Sequence, residues 1–243
     1  MKYAILSDIH GNLEAFNAVL EDLSQMNINK MVCLGDIVGY GANPKECLAL
    51  VREKFNFIVA GNHDWAVSGK KRIDGFNSYA RKAIEWTVDK LNDNEKRFLA
   101  ELPLKIEVEG LTFVHATPDK PYEWGYAFSK DEARWSFRST KYNTCFIGHT
   151  HCPILYALGE KDELYSATEF REVHLIDNIR SLINVGSVGQ PRDGSPFASY
   201  GIYDSKEKIF YLHRVWYDFT VTQNKIISAG LPAFLADRLS SGS

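Results

Sequence analysis

Residues 2–12 read KYAILSDIHGN. An apolar run of β character ends abruptly in Asp8 and His10, followed by Gly11 and Asn12. A hydrophobic core needs neither polar group there, and an unpaired one costs free energy when buried. The same pattern recurs at residues 31–39 (MVCLGDIVG) and 55–65 (FNFIVAGNHDW). Between these runs lie amphipathic helices. Residues 13–26 place Leu13, Phe16, Ala18, Leu20 and Leu23 at helical spacing. Residues 42–55 offer Asn43 as an N-cap with Pro44 at the first helical position. Residues 78–91 offer Ser78 as a cap. This βαβαβα rhythm predicts parallel strands joined by right-handed crossovers.

After about residue 103 the rhythm changes. LKIEVEG and LTFVHAT alternate around Gly110, which predicts a hairpin. Ser129 and Glu132 form a capping box for a short helix through Trp135. TCFIGHTH (144–151) reads as a buried strand. EFREVHLID, SLINVG, ASYGIYD and KIFYLHRVWYD read as antiparallel strands. A helix is expected from Thr220, and the Ser/Gly tail after about residue 236 is expected to fray. With no repeat and no linker, residues 1–243 read as one two-sheet α/β domain.

The composition excludes several classes. The net charge of −3 gives no global basic footprint for a nucleic acid duplex. No apolar run approaches the ~20 residues of a membrane span, and the N-terminus has no signal-peptide pattern. Cys33, Cys47, Cys145 and Cys152 form no CxxC pair and read as reduced thiols, which points to the cytoplasm. A homo-oligomer is compatible with the chain.

The strand ends carry the chemistry. The five runs end SDIHGN, LGDIVGYG, AGNHDW, TFVHATP and FIGHTHCP. Open α/β sheets bind ligands beyond the carboxyl ends of their strands. Asp8, His10, Asp36, Asn62, His115, His149 and His151 supply carboxylate, amide and imidazole but no thiolate. That set suits manganese, iron, zinc or nickel. Seven ligands exceed one tetrahedral ion and suit two ions sharing a carboxylate. His149 and His151, like Asp8 and His10, stand two apart, so an extended segment would project each pair to one side. Five of the seven histidines sit in these blocks; His174 and His213 lie in ordinary strand patterns and read as structural.

The ordered set DxH, GD, GNH with an acid, an isolated His and GHxH resembles the calcineurin-like metallophosphoesterase superfamily. NVGSVGQPRDG (184–194) also looks like this family. The resemblance implies a four-layer α/β/β/α sandwich of two mixed sheets flanked by helices, with metals between the sheets at the strand ends. It implies that Asp8, His10 and His151 hold a first divalent or trivalent ion. Asn62, His115 and His149 would hold a second, and Asp36 would bridge them. His63 would protonate the leaving oxygen. Asp64 would orient His63 or serve only as a helix-start acid.

The implied reaction is hydrolysis of a phosphodiester or phosphoanhydride, with a small nucleotide such as a dinucleoside polyphosphate as substrate. Ser/Thr protein phosphatases of the superfamily carry Asp-Arg where this chain has Gly39 and Tyr40, which argues against a protein phosphatase; that activity or a phosphomonoesterase is the alternative reading. Tyr40 could contact phosphate or pack the loop. Arg192 could grip phosphate or pair with an acid. Lys70, Lys71 and Arg72 could attract a polyphosphate or form a solvated run. The rings of PDKPYEWGYAF (118–128) could stack on a nucleobase or cover the core. A scaffold like the retromer subunit, or a nucleotide sensor without turnover, is the competing class. The filled ligand positions argue against the scaffold.

Overall fold

The computed structural model describes all 243 residues. Its elements run β1 (Lys2–Leu6), α1 (Leu13–Ser24), β2 (Lys30–Cys33), α2 (Pro44–Lys54), β3 (Phe57–Ile58), α3 (Asn62–Val67), α4 (Ser78–Lys90) and α5 (Asp93–Glu101). Then follow β4 (Lys105–Val108), β5 (Leu111–Val114), α6 (Lys130–Ser139), β6 (Thr144–Ile147), β7 (Ile154–Leu158), β8 (Leu164–Ala167) and β9 (Glu172–His174). The chain closes with β10 (Arg180–Asn184), β11 (Ala198–Asp204), β12 (Ile209–Val215), α7 (Phe219–Ser228) and α8 (Ala233–Asp237).

Two mixed six-stranded sheets result, ordered β3-β2-β1-β11-β12-β9 and β4-β5-β6-β10-β7-β8. Strand alternation sorts side chains into layers. In β1, Tyr3 and Ile5 enter the core between the sheets, where Phe113 and Phe146 stack with centroids 5.7 Å apart. Ala4 and Leu6 face the other way and pack under Phe16 and Val19 of α1 and Leu48 and Val51 of α2. In β6, Phe146 joins the inter-sheet core while Cys145 and Ile147 pack with Phe137 of α6. The sandwich is therefore α/β/β/α, with helices on both outer faces.

Several local expectations change. Asn77, not Ser78, caps α4; its side chain accepts from the Tyr79 and Ala80 amides. Adjacent Asn and Ser are both good caps, so sequence alone did not separate them. The capping box at Ser129 holds, but α6 runs on to Ser139. Helix α5 and strands β7 and β8 were not anticipated. Strand β10 is antiparallel to β7 but parallel to β6, so the C-terminal half is not purely antiparallel. The tail does not fray: Leu239 is buried, and the Gly194 amide donates to the Gly242 carbonyl at 2.8 Å. No helix is long and apolar enough to cross a membrane.

Candidate metal centre

The parallel strands β1, β2, β5 and β6 all stop short of the candidate ligands, which lie on the loops beyond their carboxyl ends. Asp8, His10, Asp36, Asn62, His115, His149 and His151 converge there, each no more than 7% exposed. Strand alternation is not what aims them. Asp8, His10, Asp36, Tyr40, His149 and His151 all have positive φ, between 50° and 68°. Non-glycine residues rarely adopt that conformation, and its cost is tolerated where the surroundings over-determine it. Successive left-handed turns thus replace the expected extended pairs. They send His149 and His151 to different places: His151 joins Asp8 and His10, whereas His149 joins Asp36 and His115.

Close approach of the loops needs glycine at two points. A Cβ on Gly61 would collide with the Asp36 carboxylate, and one on Gly148 with the Ser7 hydroxyl.

Four imidazoles are fixed by backbone carbonyls, which can only accept. His10 Nδ1 donates to Val38 O at 3.1 Å, His115 Nδ1 to Leu34 O at 2.7 Å and His151 Nδ1 to Gln190 O at 2.6 Å. His149 donates through Nε2 to Trp124 O at 3.0 Å. In the neutral rings the other nitrogens therefore carry lone pairs. Those lone pairs face each other: His10 Nε2 lies 3.2 Å from His151 Nε2, and His115 Nε2 lies 3.1 Å from His149 Nδ1. Two acceptors at that distance repel unless a proton or cation sits between them. Asp8 Oδ1, buried and without a hydrogen bond, lies 3.2 Å from His151 Nε2. Asp36 Oδ2 lies 3.6 Å from His10 Nε2 and 3.3 Å from His115 Nε2, so one oxygen touches both groups. Asn62 Oδ1 lies 3.2 Å from His115 Nε2. Imidazoles pinned by backbone carbonyls are the usual outer support of metal-ligating histidines. The residues present fit a metal site.

Asp64 makes no hydrogen bond to the His63 side chain, whose Nδ1 has no partner. Its buried carboxylate accepts from the amides of Asp36 at 2.8 Å, Ile37 at 2.9 Å, Val38 at 3.3 Å and Gly61 at 3.0 Å. It is the helix-start acid of α3 and also the clamp on the Asp36 loop. Burial and the Asp36 charge push its carboxyl up to about 7, against the pull of those amides. Asp64→Asn is expected to remove about 1.5–3 kcal/mol of charge-assisted hydrogen bonding. It should also lower metal affinity about 10–100-fold, as loss of an outer-shell partner does. Denaturant melts of the metal-free protein and metal titration check the two effects separately.

His63 instead packs its ring 4.5 Å from Tyr40, 4.9 Å from His10 and 5.0 Å from Phe76, with Nδ1 unpartnered. Its amide donates to Asp36 Oδ1 at 2.8 Å. Burial holds its pKa well below the ordinary value. Tyr40 also contacts His10 at 4.6 Å, and Arg192 lies over its ring at 5.6 Å. Arg192 pairs with no acid; it donates to Gln190 Oε1 at 2.8 Å. These side chains line a cleft of about 390 Å³ together with Asp36, Asn62, His149, His151, Lys71, Phe76, Trp124 and Tyr126.

The calcineurin-like phosphoesterase superfamily domain matches residues 1–208. The chain belongs to that superfamily. The calcineurin-like chain is 42% identical over 246 residues to an uncharacterised protein of Methanocaldococcus jannaschii, covering 98% of this chain and 97% of the relative. It is 27% identical over 145 residues to serine/threonine-protein phosphatase 2 of Escherichia coli, covering 54% of this chain and 66% of that protein. A metallophosphoesterase structure from Sphaerobacter thermophilus superposes with a TM-score of 0.88 at 37% identity, over 100% of this chain and 99% of that one. A hypothetical protein from Pyrococcus horikoshii superposes at 0.80 and 19% identity, over 100% and 98% of the two chains, which shows the shared fold.

Sequence reasoning missed two features of the centre, the Trp124 carbonyl and Arg238, and left Lys71 undivided from its basic neighbours. Trp124, with a left-handed φ of 58°, gives its carbonyl to His149 and stacks edge-on against Trp65 at 5.4 Å. A carbonyl has no signature in residue type, so nothing flagged it. Arg238, from the tail expected to fray, shares Gln190 Oε1 with Arg192 at 3.1 Å. Lys71 lines the cleft, whereas its neighbours turn outward: Lys70 donates to Ala100 O and Arg72 pairs with Asp74.

Proposed function

We propose that the protein is a two-metal phosphoesterase that hydrolyses a phosphodiester or phosphoanhydride bond of a nucleotide. The observation that carries this reading is the close facing of imidazole nitrogens in two groups, at 3.2 and 3.1 Å, both reached by Asp36 Oδ2. Asp8, His10 and His151 would hold one ion, and Asn62, His115 and His149 the other, with Asp36 shared. Ions bound there supply charge neutralisation of phosphate oxygens and a water acidic enough to attack near neutral pH. Manganese, iron, zinc and nickel all suit these ligands.

The chain's own groups do the rest. Asn62 and Arg192 hold the phosphate in the cleft; Arg offers a planar fork of donors for it. His63 donates a proton to the leaving oxygen. Burial keeps the free imidazole neutral, and the negative charge of an arriving phosphate opposes that by favouring the charged ring. Tyr40 fixes the His63 ring by packing against it. The rings of Trp124 and Tyr126 beside the centre support a planar base as part of the substrate. Residues 1–243 act as one domain, since both sheets share the core around Phe113 and Phe146. Four free cysteines support a reducing, cytoplasmic setting.

The E. coli relative, named as a serine/threonine-protein phosphatase, favours a second reading as a protein phosphatase. A hydrolysis screen with added manganese separates the two. Cleavage of an aryl phosphodiester and of diadenosine tetraphosphate, with no action on a phosphopeptide, is the expected result. Phosphopeptide cleavage alone would favour the second reading, and no cleavage of any of the three would contradict both.

A further inference from the structure

Lys71 has an ammonium with nothing to bind. It makes no ion pair and no side-chain hydrogen bond, although its backbone amide is anchored to Trp65 O at 3.0 Å. Nζ stands 5.7 Å from the Phe76 ring centroid and 5.9 Å from that of Trp124, at the outer limit for a cation–π contact. The aromatic walls hold the stem and leave the charged head facing the cleft. Partial burial lowers its pKa, the direction expected of a cation short of water and of a counter-charge.

Arg192 is the other cation in the cleft. It too meets no carboxylate, and its Nε is buried without a partner. Apart from Asp36, the only carboxylate lining this cleft belongs to Glu123, which pairs with Lys120 at 3.1 Å. A cleft with two unneutralised cations and one free face suits a ligand with more negative charge than the reacting phosphate alone.

We infer that Lys71 binds a second, non-reacting phosphate of the substrate and so selects a di- or polyphosphate over a simple monoester or diester. This rests on the phosphoesterase reading of the same cleft. Lys71 is a specificity residue and takes no part in bond breaking. A second phosphate could come from a nucleotide or from an inorganic polyphosphate, and binding measurements distinguish these sources.

The test titrates manganese-loaded protein with inorganic phosphate, inorganic pyrophosphate and α,β-methylene adenosine diphosphate, which is not hydrolysed. Lys71→Met keeps the apolar stem between the rings and removes the charge. It is expected to weaken pyrophosphate and the diphosphate analogue about tenfold while phosphate shifts less than about twofold, consistent with loss of one charge-assisted contact. Lys71→Arg is expected to restore most of the loss. Equal weakening of phosphate and pyrophosphate, or no weakening of either, would overturn the inference. If the adenosine analogue binds no more tightly than pyrophosphate in the wild type, the nucleotide reading fails while the Lys71 assignment stands.

Discussion

Asp36→Asn is expected to lose more than about 100-fold in metal affinity and all detectable hydrolysis, while the metal-free protein still folds. The first part follows from position. Asp36 Oδ2 lies 3.6 Å from His10 Nε2 and 3.3 Å from His115 Nε2, nearer to both than Asp8 Oδ1 at 3.7 and 4.0 Å, so its charge serves both ligand groups. Removing it costs more than the 10–100-fold typical of an outer-shell partner. The second part follows from the acceptor that Asn keeps. The amide oxygen of Asn can still accept from the His63 N–H. At a metal concentration 100 times Kd, the wild type should gain about 2.7 kcal/mol from binding. The variant should gain almost none. Thermal melts with and without manganese, beside elemental analysis, read both effects; a variant that melts early without metal would mean that Asp36 acts mainly in folding.

His63→Ala is expected to behave oppositely. Its turnover should fall about 10²–10⁴-fold, the usual contribution of a positioned acid, or roughly 3–5 kcal/mol of barrier. Metal content should stay at the wild-type level, because the imidazole is packed against Tyr40 and Phe76 and the ligand rings have their own carbonyl supports. The loss should shrink as the leaving group becomes more acidic, since an aryl oxide needs less help from a proton donor than a ribose or phosphate oxygen. Rates with a graded series of aryl phosphodiesters measure that slope. An equal loss with every leaving group would assign His63 to phosphate binding instead.

Much of the architecture was legible because each layer has its own period. Tyr3 and Ile5 alternate with Ala4 and Leu6, and the structure sends the two sets to opposite faces of one sheet. The hairpin at Gly110 and the capping box at Ser129 were equally readable. Helix α5 carried an overlooked capping box, Asn92 with Glu95. Strand β3 is only two residues long, and the rest of its apolar run leads into α3, a division that hydrophobicity alone does not mark.

At the centre, residue types revealed which side chains would meet but not how. The left-handed φ of Asp8, His10, His149 and His151 is a property of loops held by neighbouring strands. A local rule of alternation therefore misplaced His149 relative to His151, although Asp8 and His10 do reach one group. The carbonyls of Leu34, Val38, Trp124 and Gln190 set the imidazole tautomers, and every residue has a carbonyl. Asp64 was singled out, but its partners are backbone amides of another loop rather than its sequence neighbour His63.

The proposed two ions in this centre would sit with Asp36 between them. Anomalous diffraction from crystals of the manganese-loaded protein tests this arrangement most directly. The expected result is two peaks, one against Asp8, His10 and His151 and one against Asn62, His115 and His149, with the Asp36 carboxylate touching both and the pair about 3.5–4 Å apart. A single peak, or peaks away from Asp36, would contradict the account.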